Sequence, residues 1–218
     1  YYMWDAQQNY WSGHEWNSAS PWQPTLATQP ANSNYPKSNA DPRYYNEYYP
    51  GYGVSNSATH ASCKDLPNVN EMTWYAMYGD PRWDGDELWT TMGHLYKGGM
   101  WFKKKSVLQA ENHYDTEKSA DGTTDIRSFN KSYSNSNSSI YNSGLPSAAD
   151  AGNYFYLPAL GYYGSGQLYL VGNYGHYWSS SAGPWSSIAA YYLRFGSGGV
   201  NVDIEGRYNG YRVEPTFE

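Results

Sequence analysis

A chain of 218 residues is long enough for one sizeable core or two small ones, and its net charge of −6 supplies no basic face for phosphate, which argues against nucleic acid as the main partner. The lone cysteine, Cys63, excludes an internal disulfide and a cysteine-based zinc site, and no apolar run approaches the roughly 20 residues of a membrane span. Aromatics make up 19% of the chain, with 26 Tyr and 10 Trp against 5 Phe, a bias toward side chains that join a large apolar body to one polar handle and so suit interfaces.

The chain opens on Tyr1 without a signal peptide, which reads as a mature or trimmed fragment with an upstream domain expected before it. Residues 1–16 are aromatic and polar, with Tyr1–Trp4 a candidate edge strand. From Asn17 to about Ser62 the composition turns to Pro, Ser, Asn, Tyr and Gly, a long irregular insert expected to be pinned by Trp22, Tyr44, Tyr45, Tyr48 and Tyr49. Two helices are predicted next. Asn68 and Glu71 form an Asn-x-x-Glu capping box ahead of Met72, Tyr75 and Ala76, with a stop at Gly79. Asp84 and Glu87 repeat the device ahead of Leu88, Trp89, Met92, Leu95 and Tyr96, with a stop at Gly98-Gly99, so His94 is read as structural.

Met100-Trp101-Phe102 follows as a strand, and residues 111–150 read as a polar surface loop. The basic run Lys103-Lys104-Lys105 fits a solvated strand edge or loop. The remainder is β in character. Tyr191, Leu193 and Phe195 alternate with Tyr192, Arg194 and Gly196, Val200, Val202 and Ile204 alternate with Asn201, Asp203 and Glu205, and a last strand runs through Tyr211 and Val213. Helices flanked by short strands and long loops define an α+β class, in a single domain over residues 1–218.

Enzyme signatures are missing: no metalloprotease helix follows His14-Glu15, and there is no nucleophile elbow, P-loop or dinucleotide fingerprint. His176 lies close in sequence to Ser179, Ser180 and Ser181, but a serine cluster after Trp178 more simply satisfies backbone groups at a strand end. Asp80, Asp84, Asp86 and Glu87 suit a helix N-terminus. A structural calcium held by their oxygens is the alternative, and no other cofactor is expected. The chain is read as a binder and not as an enzyme.

The frame GHYWSSSA…AYYLRFGSGGVNV…RYNGYRVEP, with the upstream stretches LPNVNEMTWYAMYGDPRWDGDELWTTMGHLYKGGMWFKKKSV and YFYLPALGYY, resembles the C-type-lectin-fold variable proteins of diversity-generating retroelements carried by gut bacteria and their phages. The resemblance implies a fixed scaffold with a variable region over about 157–218, in which mutagenic copying of template adenines changes exposed side chains. By that resemblance the varied, ligand-contacting positions are Tyr163, Ser165, Tyr169, Leu170, His176, Ser187, Ile188, Tyr192, Arg194, Gly196, Gly199, Asp203, Ile204, Tyr208 and Asn209. Trp178–Ala182, Leu193, Phe195, Val200, Val202, Arg207 and Gly210–Val213 would be frame. Glu205 departs from what an AAC codon yields, and the strand pattern groups Ile204 with the buried valines. The implied function is an adhesin or receptor-binding protein displayed outside the cell, on a bacterial surface or a phage particle, with a protein or glycan ligand. The alternatives are a glycan-binding lectin lacking the usual calcium tripeptides, and an enzyme of the formylglycine-generating kind. If the contact surface is one exposed face, Tyr192, Arg194 and Tyr208 must share it.

Overall fold

The first helix begins where its capping box predicts. The Asn68 side chain accepts from the Glu71 N–H at 3.0 Å, while the Asn68 N–H donates to the Glu71 carboxylate at 2.7 Å, so two free donors of the first turn are satisfied together. This α1 spans Val69–Tyr78, buries Val69, Met72, Tyr75 and Ala76, and closes with the Gly79 N–H on the Tyr75 carbonyl. The computed structural model describes residues 1–28, 30–49, 51–215 and 217. Gln29 and Pro50 of the irregular insert, and Thr216 and Glu218 of the expected variable region, lie outside them.

The second predicted helix is a β-hairpin. Strands β1 (Arg82–Thr91) and β2 (His94–Lys103) pair antiparallel through a two-residue turn in which Met92 and Gly93 both have positive φ, 48° and 75°. Asp84 does act as a cap, but of a bulge. Its Oδ1 accepts the N–H groups of Asp86 and Glu87, each at 3.0 Å, where the strand register shifts, and its Oδ2 accepts from the Trp101 indole at 3.0 Å. An Asp side chain satisfies two following N–H groups equally well in a helix start or in a bulge. The apolar spacing misleads for a related reason: Trp89 and Tyr96 stack across the two strands at 5.6 Å, while Leu88 and Leu95 are exposed. His94 is therefore a strand residue at the hairpin tip, not a residue of a helical core face.

After β2 come α2 (Lys105–Ala110), β3 (Tyr133–Asn135), α3 (Ser139–Asn142) and β4 (Tyr154–Pro158). The expected 111–150 loop thus carries a short strand and a single helical turn. Strands β5 (Tyr162–Gly164), β6 (Gln167–Tyr169), β7 (Tyr174–Ala182), β8 (Ala189–Gly196) and β9 (Gly199–Gly206) complete the fold. The sheets are β1-β2-β4, β3-β9-β8-β7 and the hairpin β5-β6, with every pairing within them antiparallel, which makes the class α+β. Neither the candidate edge strand at the amino end nor the last strand forms a ladder. Tyr2 bridges Tyr211, and Arg212 bridges Tyr177 of β7.

One core lies between α1 and the two larger sheets, with Met72, Tyr75, Phe102, Phe155, Leu193, Phe195, Val200 and Val202 in contact. A second gathers Tyr1, Met3, Tyr10, Trp11, Tyr163 and Leu168, and a third Trp4, Cys63, Trp178, Tyr192 and Tyr211. No helix or strand forms between residues 17 and 62 among the described residues, and two buried charges tie this stretch down. The fully buried Asp5 carboxylate accepts from the N–H groups of Thr59 and His60 and from the Asn46 amide. The equally buried Arg207 donates to the carbonyls of Asn46, Tyr48, Ser186 and Ala189, and its guanidinium lies 4.4 Å from the Trp4 ring centre. Of the expected aromatic pins, Tyr45 is buried and Trp22 and Tyr44 are packed, but Tyr48 and Tyr49 are exposed.

Arg207→Met would leave four carbonyls without their donor and is expected to lower unfolding free energy by about 3–5 kcal/mol. Urea denaturation checks this, and a loss under about 1 kcal/mol would show that the guanidinium is dispensable.

Candidate functional site

Alternation along β8 and β9 sends Leu193, Phe195, Val200 and Val202 into the main core, as expected, and Tyr177 of β7 joins them. The opposite face carries His176 and Trp178 on β7, Tyr192 and Arg194 on β8, and Asn201, Asp203 and Glu205 on β9; His176 pairs with Arg194, Trp178 with Tyr192, and Tyr192 with Asp203. That face is not bare. The tail places Tyr211 on it, stacked on Trp178 at 4.3 Å and 5.1 Å from Tyr192, and β5 places Tyr162 at 4.8 Å from His176. Tyr169 of β6 stacks on Tyr162 at 5.3 Å, and His176 lies parallel to Tyr192 at 6.0 Å. Arg194 lies over the Tyr174 ring at 4.8 Å. The result is a continuous aromatic patch, closed at its centre and open at its margins.

The fifteen expected positions separate accordingly. Ser165, Tyr169, Leu170, Ile188 and Tyr208 are exposed, while Ser187, Arg194, Gly199, Asp203, Ile204 and Asn209 are half-buried. Tyr163, His176, Tyr192 and Gly196 are buried, contrary to the exposure expected of them. Tyr163 belongs to the second core, where its hydroxyl donates to the Pro24 carbonyl at 2.6 Å. Ile204 packs on the main core. His176 and Tyr192 point to the predicted side but lie beneath Tyr162 and Tyr211. Gly196 lies against the Tyr174 ring, which a Cβ there would meet at 2.7 Å, and a Cβ on Gly199 would meet the Asn135 carbonyl oxygen at 2.7 Å. Both positions resist larger residues. Tyr192, Arg194 and Tyr208 do not share one open surface: Tyr192 is 7% exposed, Arg194 is half-buried, and Tyr208 stands beyond the far end of β9, against Gly206.

Tyr162, Tyr174 and Tyr211 were missed as members of the patch. For Tyr162 a signal was present. The turn Ser165-Gly166, with φ of 47° and 78°, fixes a two-residue hairpin that pairs Tyr163 with Leu168 and Tyr162 with Tyr169. The apolar Leu168 then assigns Tyr163 to the core and Tyr162 to the outside.

Burial governs the electrostatics. The His176 imidazole is pushed down to about 3 by desolvation and, secondarily, by the Arg194 charge, and its Nδ1 has no hydrogen-bond partner among the described residues. The Tyr192 hydroxyl is pushed up to about 12 by burial, with Arg194 opposing and Glu205 and Asp203 reinforcing. Tyr211 is raised further, and Tyr162 is raised too, burial leading in each case. The patch therefore presents neutral rings and hydroxyl groups near neutral pH, with the Arg194 guanidinium and the carboxyl groups of Asp203 and Glu205 on the same face. Two of the serines near His176 are engaged elsewhere. Ser179 Oγ donates to the Tyr191 carbonyl at 2.8 Å, and Ser181 Oγ accepts from the Val69 N–H at 3.0 Å. The Cys63 thiol is fully buried, accepts from the Asp5 N–H at 3.3 Å, and is pushed up to about 12 by burial.

Three of the four acids expected to start a helix or hold calcium are occupied otherwise, Asp80 by Arg82 and Tyr154, Asp84 by its bulge and Trp101, and Asp86 by Lys97, while Glu87 is exposed on β1. Among the described residues no group of three or more His, Cys, Asp and Glu side chains is placed to hold a metal ion, and no helix is long and apolar enough to cross a membrane. A wider cleft of about 630 Å3, between Trp16, Trp22, Pro24 and the Met92–His94 turn, lies away from the patch and has no Asp, Glu, Lys or Arg in its lining. No protein-family model, curated protein or solved structure matches this chain.

Two predictions follow from burial and backbone. Between the ordinary histidine value near 6.5 and about 3, the unfolded chain binds a proton at His176 that the folded chain refuses. Stability from this residue is thus complete above pH 6.5 and falls, by at most about 1.4 kcal/mol per pH unit, as the solution is acidified toward 3. His176→Gln should flatten that part of the pH–stability curve in urea titrations, and an unchanged slope would assign the acid sensitivity elsewhere. At Ser165, Gly or Asn should raise stability by roughly 0.5–1 kcal/mol and Val should lower it by about 1–2, because the position needs a left-handed backbone. Thermal melting of the three variants gives the order directly.

Proposed function

We propose that this chain is a surface-displayed ligand-binding protein with a C-type-lectin fold, whose aromatic patch and exposed margin contact a protein or glycan on another cell or particle. The observation that carries the reading is the run of ring contacts from Tyr169 through Tyr162 and His176 to Tyr192, with Arg194 beside it. Tyrosine presents large contact area with few torsions to freeze, and Ser and Gly nearby give adaptable hydrogen bonding, the composition of antibody-like contact surfaces. The variable-protein reading rests on the frame motif. It is supported by the burial of Trp178–Ala182, Leu193, Phe195, Val200, Val202 and Arg207, and by the exposure of Ser165, Tyr169, Leu170, Ile188 and Tyr208. Substitutions at exposed Tyr169, Ile188 and Tyr208 cost little, usually within about 0.5 kcal/mol, whereas the left-handed backbones at Ser165 and Leu170 restrict the choice there and truncating buried Tyr192 opens a cavity costing about 3–5 kcal/mol.

A screen against cell-surface glycans and proteins supplies the ligand for the test. Tyr169→Ala combined with Arg194→Ala should weaken capture at least about tenfold, the effect of losing about 1.4 kcal/mol, with the melting temperature preserved. Full binding by that double variant would move the contact surface elsewhere. Sequencing the encoding locus tests the source of variation: a near-identical template differing at adenines, beside a reverse transcriptase, is the expected finding, and differences at other bases would refute it.

A further inference from the structure

Six arginines are present, and their surroundings differ. Arg43, Arg82 and Arg127 hold carboxylates, Arg207 is sealed against main-chain carbonyls, and Arg212 lies over the Tyr1 ring. Arg194 has no carboxylate within salt-bridge distance among the described residues, yet it lines a cavity of about 180 Å3 at the end of the sheet where β3 meets the β8–β9 turn. The other walls are Tyr174, Ser134, Ser136, Asn201 and the backbone at Gly199. No intramolecular hydrogen bond engages the side chains of Ser134, Ser136 or Asn201 among the described residues, so their donors and acceptors are free to serve a ligand. The nearby acid Asp203 makes no ion pair with Arg194, and its Oδ1 accepts from the Ser132 hydroxyl at 2.5 Å and the Ile204 N–H at 2.8 Å. Glu205, the other acid of this face, pairs with Ala190 toward the opposite end of β8.

We infer that this cavity binds the carboxylate-bearing ring of an acidic sugar, the tip of the longer ligand that the aromatic patch receives; the inference therefore rests on the binding role of that face. An unneutralised guanidinium is a planar, forked donor matched to a carboxylate. Its pairing with Tyr174 restrains it without cancelling its charge, since the ring offers a quadrupole rather than an anion. Size selects a single ring: the volume is well below the ~300–1,000 Å3 of pockets that enclose a drug-sized ligand. Chemistry selects a sugar over an acidic peptide side chain. The latter uses the guanidinium alone, whereas two hydroxyls and a free amide around one cation complement a ring that carries several hydroxyl groups beside its acid.

The experiment titrates the protein with glucuronate, glucose and N-acetylglutamate, monitored by ligand-observed NMR. Glucuronate should saturate, and glucose and N-acetylglutamate should each bind about ten- to a hundredfold more weakly, the first lacking the charge-assisted pair and the second the hydroxyl contacts. Arg194→Gln should reduce glucuronate to the level of glucose with an unchanged melting temperature, and Tyr52→Ala, an exposed position outside the patch, should leave glucuronate binding intact. Equal binding of glucose and glucuronate, or full glucuronate binding by Arg194→Gln, overturns the inference. N-acetylglutamate binding as well as glucuronate overturns the assignment to a sugar. If glucuronate fails while the Tyr169→Ala/Arg194→Ala double variant weakens capture of the screened ligand, the cavity inference falls and the binding role of the face stands; if that double variant captures the ligand fully, the role itself falls.

Discussion

Strand β8 is covered on both sides, and most of the architecture follows from that. Its inward residues Tyr191, Leu193 and Phe195 meet α1 and the β1-β2-β4 sheet, while its other face lies beneath Tyr162 and Tyr211. Neighbouring β7 is buried from Gly175 to Ala182 without a break. A strand buried on two sides ordinarily reads as a continuous apolar run. Here the second cover is aromatic and polar-tipped: His176, Trp178, Tyr192 and Arg194 fill one side, and Tyr177, Tyr191, Leu193 and Phe195 the other. The tail and the β5-β6 hairpin supply that cover, which makes chain segments far apart in sequence into one surface.

This explains which parts of the structure were legible. The helix at Val69–Tyr78 and the β8-β9 pairing follow from local rules, a capping box and a period of two, with nothing distant competing. The 82–103 hairpin was not legible as a hairpin because Asp84 presents the same carboxylate-to-backbone bonds that a helix cap would. Its apolar residues also match helical spacing while serving a strand pair. Only the Met92-Gly93 turn, with its left-handed backbone at both positions, marked the alternative. The candidate site shows the same division. Direction along β8 was readable, so Arg194 and Tyr192 fall on the predicted face. Depth was not, because exposure depends on Tyr211 and Tyr162, whose placement no local pattern specifies.

The irregular amino-terminal stretch illustrates a different economy of structure. Without strands or helices, its backbone groups still need partners, and Asp5 and Arg207 each satisfy several at once. Two buried charges held by main-chain groups therefore do locally what a sheet ladder does elsewhere. Arg207 sits directly after β9, so the same residue that fastens the insert also fixes the end of the β3-β9-β8-β7 sheet.

Two-sided burial also limits how such a face can vary. A bare sheet surface would tolerate change at every outward position, but here the central rings are mutual supports: His176 touches Tyr162, Tyr192 and Tyr211, so altering one alters the seat of the others. Gly196 and Gly199 are held small by Tyr174 and by the β3 backbone. Freedom concentrates instead at Ser165, Tyr169, Leu170 and Arg194, on the hairpin and the strand end that border the patch. Of these, Ser165 and Leu170 have left-handed backbones, with φ of 47° and 61°, which favours Gly, Asn and Asp there over branched side chains. Under the proposed variable-protein reading, the repertoire of the surface would be set by backbone geometry at two positions, by open space at Tyr169, and by charge at Arg194, above a constant aromatic centre.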